Sequence, residues 1–178
     1  AIERRAPPNR TEPIRTPMES VMEDVEIRPV GYPNLALPLE RNAMLRASET
    51  VMIDGDRRMS WARFADRVAR LAGAFAAMGV SPGARVGILA QNSFQIAECV
   101  YAAFWCGAIA YPLNNRLAVP ELSAQFAENT PSVLVAHHDF LDLARALPLP
   151  AGAKLVAFES PTPPQDMADY ESLIADAR

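Results

Sequence analysis

Apolar residues recur along the chain with two different periods, and the two periods alternate. The longest helical stripe has apolar residues at spacings of four, three, four and three: Phe64, Val68, Leu71, Phe75 and Met78. Such a stripe predicts an amphipathic helix. Ser60 before it offers a hydroxyl N-cap, and Gly79 after it can take the positive φ that ends many helices. This helix is the most clearly indicated element of the sequence.

Short continuous apolar runs separate the helical segments and predict buried strands. These runs cover residues 85–90, 108–112, 132–136 and 154–158. The helices between or after them are predicted from Phe94 to Cys106, from Pro120 to about Asn129, over 140–147 and around Tyr170. Strands that alternate with helices indicate a parallel sheet with right-handed crossovers, and continuous apolar strands indicate that both faces are covered. The predicted fold class is therefore α/β, a doubly wound, mainly parallel sheet flanked by helices.

Residues 1–33 differ from the rest of the chain in composition. They contain six prolines and mixed charges without a sustained hydrophobic period. Because proline removes a backbone donor and disfavours helix in the residue before it, we predict an irregular Pro-rich extended arm or linker, with one short strand over 25–30. Residues 34–178 are interpreted as one α/β subdomain that is incomplete at its C-terminal side.

Two weaker elements open the α/β part. A helix from Pro38 to Ala47 is predicted from a weak apolar face made of Leu35, Leu39, Ala43 and Leu45. Asp54 and Gly55 lie between two short strands, and Asp-Gly is a strong signal for a β-hairpin turn.

Charge and composition exclude some classes of function. The formal net charge of −4 and pI near 5.2 argue against nucleic acid as a main partner. No apolar run approaches the roughly 20 residues that cross a bilayer, and the N-terminus lacks the pattern of a signal peptide.

Cys99 and Cys106 would lie about 10 Å apart along one helix, too far for a disulfide. Free thiols fit a reducing compartment, so we expect a cytoplasmic protein.

Residues with catalytic or metal-binding chemistry are few. No P-loop or Gly-x-Gly-x-x-Gly pattern occurs. His137 and His138 follow a strand and are expected to point to opposite faces, which places them poorly for one metal ion, and Asp139 is expected to cap the next helix. Glu98, the one acid in the apolar helix, is expected to point outward. We therefore predict neither a catalytic residue nor a metal site in these residues.

Two polar loops follow the first two buried strands. They are Gln91-Asn92-Ser93 and Leu113-Asn114-Asn115-Arg116. In open α/β sheets ligands bind beyond the carboxyl ends of the strands, and the first loop also begins a helix, where backbone donors are free. We take Asn92, Ser93, Asn114 and Arg116 as candidate binding residues for an anion or carbonyl group. From the residues alone, capping within ordinary polar loops is the somewhat favoured alternative.

The order of these segments resembles the adenylate-forming superfamily over residues 35–158. The segment Arg57-Arg58-Met59-Ser60-Trp61-Ala62-Arg63-Phe64 after the hairpin is similar to its first core motif. Residues 77–93 are similar to its turn, strand and loop, and residues 104–114, with Gly107-Ala108 and a Pro-containing strand exit, to its second core motif. Asn114-Asn115-Arg116 resembles acyl-CoA synthetases more than peptide-synthetase domains.

The resemblance implies an acid–thiol ligase. Such enzymes join a carboxylic acid to AMP from Mg-ATP and pass the acyl group to CoA, in fatty acid metabolism among other settings. ATP, Mg²⁺ and CoA would be substrates of a longer enzyme, with none bound tightly to these residues. The family's phosphate loop, nucleotide motifs and catalytic lysine would follow Arg178, so the resemblance implies that the 178 residues alone are inactive. Some relatives carry Arg at the Trp105 position near CoA, and Trp105 cannot pair with a phosphate.

Several alternatives stay open from the sequence. A non-catalytic α/β binding or scaffold module would share the fold. Luciferase-like enzymes and peptide-synthetase adenylation domains share the motifs, and an unrelated Rossmann-like nucleotide binder is disfavoured by the missing glycine loop. The acyl substrate is not decided by these residues, and a homodimer is compatible with the resemblance.

Overall fold

The computed structural model describes residues 35–177, and in these residues helices alternate with strands as the apolar spacing predicts. The arm predicted for 1–33 and the strand predicted for 25–30 lie outside the described residues. The helices and strands are, in chain order, α1 (Leu37–Leu45), β1 (Thr50–Asp54), β2 (Arg57–Ser60), α2 (Trp61–Ala77), β3 (Arg85–Leu89), α3 (Phe94–Trp105), β4 (Ile109–Pro112), α4 (Val119–Glu128), β5 (Val133–His137), a 3₁₀ turn (His138–Phe140), α5 (Leu141–Ala146), β6 (Lys154–Phe158), β7 (Ala168–Asp169) and α6 (Tyr170–Asp176).

The five later strands form one parallel sheet in the order β4-β3-β5-β6-β7. The chain enters at β3, moves outward to β4 and then returns to the other side of β3. This reversal of strand order confirms the doubly wound fold, and it opens a crevice at the carboxyl ends of the strands. The strands β1 and β2 pair separately as the expected antiparallel hairpin.

Both faces of the sheet are covered, as the continuous apolar strands predict. One core cluster joins Val86 and Ile88 of β3 to helices α2, α3 and α6, and the other joins Leu89 of β3 to α4 and α5. Gly87 lies between them, where a Cβ atom would be 2.9 Å from Leu134 Cδ1 and 3.2 Å from Pro131 Cβ. The absence of a side chain at Gly87 therefore lets the segment before β5 pack directly on β3.

Helix α2 has the boundaries that its sequence predicts. Its stripe residues Phe64, Val68, Leu71 and Phe75 are all buried. Ser60 Oγ accepts a hydrogen bond from the Arg63 amide at 3.3 Å, and Gly79 ends the helix with φ at 92°. The amide of Val80 donates to the Phe75 carbonyl at 2.9 Å, which completes the C-terminal cap.

Two predictions about which residues are buried are wrong, one for α1 and one for β4. Of the apolar face predicted for α1, only Leu39 is buried, while Leu35 and Leu45 are 57% and 69% exposed. Strand β4 is an edge strand and not a buried one, with Ile109 47% exposed. An apolar run shows that a segment suits a strand, but it does not show which neighbours cover it. The two-residue strand β7 is too short to produce a period and was not predicted.

The expectation that Glu98 points outward is also wrong. Its side chain is fully buried between α2, α3 and α6. Arg67 of α2 donates to Glu98 through Nε and through Nη2, the latter at 3.1 Å, and the Tyr170 hydroxyl donates at 2.7 Å. Arg67 also donates to both carboxylate oxygens of Glu171 at 2.8 Å. An acid in a mainly apolar helix is therefore tolerated because a neighbouring helix supplies a matching cation.

The two cysteines are free thiols, as predicted. Cys99 is buried beside Glu98, and burial followed by the nearby carboxylate raises the pKa of its thiol far above the ordinary range. Cys106 is half-buried, its Sγ donates to the Ala72 carbonyl at 3.3 Å, and burial raises its pKa as well. Both are therefore neutral packing residues.

Among residues 35–177, no helix combines the length and the apolar character that crossing a bilayer requires.

We expect the substitution Glu98→Ala to lower the free energy of unfolding by about 3–5 kcal/mol. It removes the acceptor for Arg67 and for the Tyr170 hydroxyl, and so leaves a largely buried cation and a buried donor without their partner. Urea titration followed by circular dichroism would measure the change.

The matched control is Glu171→Gln, which alters the exposed partner of the same arginine. Glu171 is 57% exposed, and the buried Glu98 still accepts from Arg67 in this variant, so its loss of stability should be clearly smaller than that of Glu98→Ala. Equal losses for the two variants would contradict a special role of the buried carboxylate.

Candidate functional site

The carboxyl ends of adjacent parallel strands bring the two predicted polar loops together. They form an open cleft of about 720 Å³ lined by Ala90, Gln91, Asn92, Leu113, Asn114, Asn115, Arg116 and Phe140. Three of the four residues selected from the sequence, namely Asn92, Asn114 and Arg116, therefore lie in one cleft. Their proximity follows from the pairing of β3 with β4, which places the loop after one strand beside the loop after the other.

Local hydrogen bonds hold the second loop in place. Asn115 Nδ2 donates to the Ala90 carbonyl at 2.8 Å and so ties the two loops together. Asn114 Oδ1 accepts the Arg116 amide at 3.1 Å, which forms a tight Asx turn. The guanidinium of Arg116 makes no ion pair within the described part of the chain, and it lines the cleft. The loop is therefore fixed by its amides while its cation stays available to an anion.

Ser93 does not line this cleft. It occupies the N-cap position of α3 without making a capping bond, and its Oγ is buried without a hydrogen-bond partner among the described residues. Gln95 Oε1, two residues on, is likewise buried without a partner. Position after a strand pointed to both residues alike, and it did not distinguish the exposed Asn92 from Ser93, whose hydroxyl is turned inward.

A second polar group at the same edge centres on Glu159, which the sequence reasoning missed. Its Oε1 accepts Arg57 Nη1 and Gln95 Nε2, each at 3.0 Å, and its Oε2 lies 3.3 Å from His137 Nε2. Partial burial works against ionisation, but the hydrogen bonds from Arg57, Gln95 and His137 hold the pKa of Glu159 below its ordinary value. Glu159 has φ at 53°, a backbone conformation that is costly for a residue other than glycine. Its place directly after β6 was the only signal in the sequence.

The structure brings His137, His138 and Asp139 together, so the expectation that the two histidines point apart is wrong. Their ring centroids are 4.3 Å apart, because β5 ends at His137 and the chain turns at once into a 3₁₀ helix. Asp139 is not a helix cap either. The His137 Nδ1 atom caps this turn by accepting the Asp139 amide at 3.2 Å, while the Asp139 carboxylate faces the two imidazoles.

The chain also contains one Gly-x-Ser-x-Gly spacing, over residues 79–83. In hydrolases this spacing marks a nucleophile that lies on a turn from a strand to a helix. Here Ser81 lies in the turn that leads from α2 into β3, at the amino edge of the sheet. It is therefore at the opposite end of β3 from the cleft and is not such a nucleophile.

Comparison with known proteins identifies the family. The model of the family described as "AMP-binding enzyme" matches residues 39–174. A feruloyl-CoA synthase from Amycolatopsis sp. is 35% identical over 127 residues, which cover 68% of this chain and 26% of the relative. An indoleacetate–CoA ligase from Aromatoleum aromaticum is 36% identical over 137 residues, which cover 76% of this chain and 26% of that protein.

Solved structures agree with this result. A putative long-chain-fatty-acid CoA ligase from Rhodopseudomonas palustris superposes with a TM-score of 0.73 at 33% identity, over 80% of this chain and 36% of that one. The chain belongs to the AMP-binding enzyme family. It spans about a quarter of the length of the curated relatives it matches.

We expect the stabilising effect of Glu159 to depend on pH. Because the pKa of Glu159 is lowered in the folded chain, its contribution is fully present above the unfolded-state pKa of about 4.3 and is lost as the pH falls through the folded value. The substitution Glu159→Gln should therefore destabilise the protein at about pH 7, and its difference from the wild type should shrink between about pH 4 and pH 2.

Free energies of unfolding measured across this pH range test the prediction. Glu128→Gln is the control, since Glu128 is exposed and makes no ion pair with any described residue. A difference between Glu159→Gln and the wild type that stays constant with pH would contradict the prediction.

Proposed function

We propose that this member of the AMP-binding enzyme family is the N-terminal part of an acyl-CoA ligase. The longer enzyme would activate a carboxylic acid with Mg-ATP to an acyl-adenylate and then transfer the acyl group to CoA. The observation that carries the proposal is the cleft of Asn92, Asn114 and Arg116, which lies inside the stretch matched by the family. The similarity to CoA ligases over that stretch supports it.

The chemistry of the cleft suits a substrate that carries phosphate. Its polar groups are side-chain amides and one guanidinium, and none of its lining residues is acidic. Amides and arginine donate hydrogen bonds to phosphate oxygens, and both ATP and CoA carry phosphates. The lining offers no carboxylate to Mg²⁺, which usually binds through carboxylates and substrate phosphates. We therefore assign the cleft to substrate phosphate and leave the magnesium to the ATP itself and to residues beyond this chain.

The acid and the compartment are further parts of the proposal. Relatives are named for ferulate and indoleacetate, and others for long-chain fatty acids, so aromatic and fatty acids are the two classes to compare. A cytoplasmic location is supported by the two free thiols, which suit a reducing compartment.

The decisive experiment measures acid-dependent exchange of labelled pyrophosphate into ATP by the product of the complete gene. Ferulate, indoleacetate, palmitate and acetate form the panel, and acyl-CoA formation is then followed by chromatography after addition of CoA. We expect exchange with one class of acid and a CoA thioester of the same acid. A folded product that shows no exchange with any carboxylic acid would overturn the proposal, and exchange by the 178 residues alone would contradict their predicted inactivity.

The substitution Arg116→Ala, made in the complete enzyme, should raise the KM for ATP or for CoA by about tenfold or more. A hydrogen bond to a charged group contributes roughly 1.5–3 kcal/mol, and each 1.4 kcal/mol is about tenfold. Steady-state kinetics with each substrate varied in turn will show which phosphate Arg116 serves.

Arg58→Ala is the matched control, because Arg58 is exposed on β2, has no ion pair with a described residue and does not line the cleft. It should leave both KM values close to the wild type. If the two variants change KM equally, the cleft is not the phosphate site.

A further inference from the structure

The cluster of His137, His138 and Asp139 has the composition of a metal site. Each residue offers one ligand atom, and these atoms lie within 4.8 Å of one another. His137 Nδ1 is 3.3 Å from Asp139 Oδ2, and His138 Nε2 is 2.9 Å from Asp139 Oδ1. Ligand atoms about 2.0–2.2 Å from a tetrahedral ion lie roughly 3.4 Å apart, so small side-chain adjustments would close the set around one ion.

Glu159 supplies the outer contact that metal-binding histidines usually have. A metal on His137 Nδ1 leaves the ring proton on Nε2, and Nε2 lies 3.3 Å from Glu159 Oε2. Such carboxylate–histidine pairs fix the tautomer and the ring orientation of a ligand. Glu159 is itself held by Arg57 and Gln95, so the imidazole is oriented from behind by three side chains.

Local structure does not account for the Asp139 carboxylate. It caps no helix, since the cap of the 3₁₀ turn is His137 and α5 begins without a side-chain cap. Asp139 and His138 are about half exposed, and an exposed pair of this kind contributes little to stability on its own. The one bond that a metal would replace is the hydrogen bond from the Asp139 amide to His137 Nδ1, which is 3.2 Å long.

We propose that His137, His138 and Asp139 bind one zinc ion at the carboxyl end of β5, with Glu159 orienting His137. Two imidazole nitrogens and one carboxylate are ligands that zinc accepts, and three protein ligands leave its fourth position to water or to a ligand group. The site lies beyond the sheet edge and uses none of the candidate cleft residues Asn92, Asn114 and Arg116. It stands independently of the ligase proposal.

The test is titration of the metal-free chain, without a histidine tag, with zinc chloride in a calorimeter at about pH 7.5, where free imidazole is mostly neutral. Cobalt(II) in place of zinc reports the geometry through its visible absorption. We expect about one ion per chain and tetrahedral cobalt bands, as a three-ligand zinc site requires. His138→Ala and Asp139→Asn should each weaken zinc binding at least tenfold, and Glu159→Gln by roughly 10- to 100-fold if its outer contact acts as in other zinc sites.

Asp142→Asn is the matched control, since Asp142 is a fully exposed acid three residues after Asp139 that takes no part in the cluster. It should bind zinc as the wild type does. Circular dichroism confirms that each variant is folded, which is expected because His138 and Asp139 are exposed. Absence of zinc binding by the folded wild type, or equal affinity in the wild type and His138→Ala, would overturn the proposal and leave the ligase assignment untouched.

Discussion

The buried carboxylate of Glu98 is the constraint on which the arrangement of the helices depends. Removing a charged carboxylate from water costs several kcal/mol, and the cost is offset here by the guanidinium of Arg67 and the hydroxyl of Tyr170. These three groups belong to α3, α2 and α6, so the helices can pack only in the orientation that brings them together. Helix α3 starts five residues after β3 ends, and its fixed orientation therefore also positions the loop that contains Asn92.

The reversal of strand order then decides where polar residues collect. Loops after β3, β4, β5 and β6 meet at one edge of the sheet, and they divide into two different environments. Around Glu159, Arg57, Gln95 and His137 each contact one carboxylate, which ties four elements together. In the cleft, Asn114 and Asn115 bond to the backbone while the guanidinium of Arg116 makes no ion pair with any residue of 35–177. A carboxylate that accepts from several side chains suits an orienting role, whereas a cation without an ion pair in an open cleft suits a ligand.

The sequence predicted those features that depend on local periodicity and on chain topology. The stripe of α2 with its caps follows from residue spacing, and the parallel sheet follows from the alternation of strands and helices. The two polar loops were selected because each follows a strand, whereas their meeting became visible only with the pairing of β3 and β4. Features that depend on distant partners were not predictable. Glu98 is separated from Arg67 by 31 residues and from Tyr170 by 72, and nothing near Glu98 in the sequence signals either of these donors. The prediction for His137 and His138 failed for a different reason. It assumed that β5 continues through His138, whereas the strand ends at His137 and the backbone then turns.

Arginine shows most clearly what the fold adds to composition. The chain has seventeen lysine and arginine residues, and all but Lys154 are arginine. The sequence alone does not show which of these arginines pair with carboxylates. In the structure Arg57, Arg67 and Arg145 are engaged by carboxylates. Arg116 forms no ion pair with a carboxylate of the described residues, and its backbone amide is held by an Asx turn at the edge where the strand order reverses. The turn fixes the backbone of Arg116 beside the cleft, and this placement, which exposed Arg58 lacks, is why we propose Arg116 for an anionic substrate.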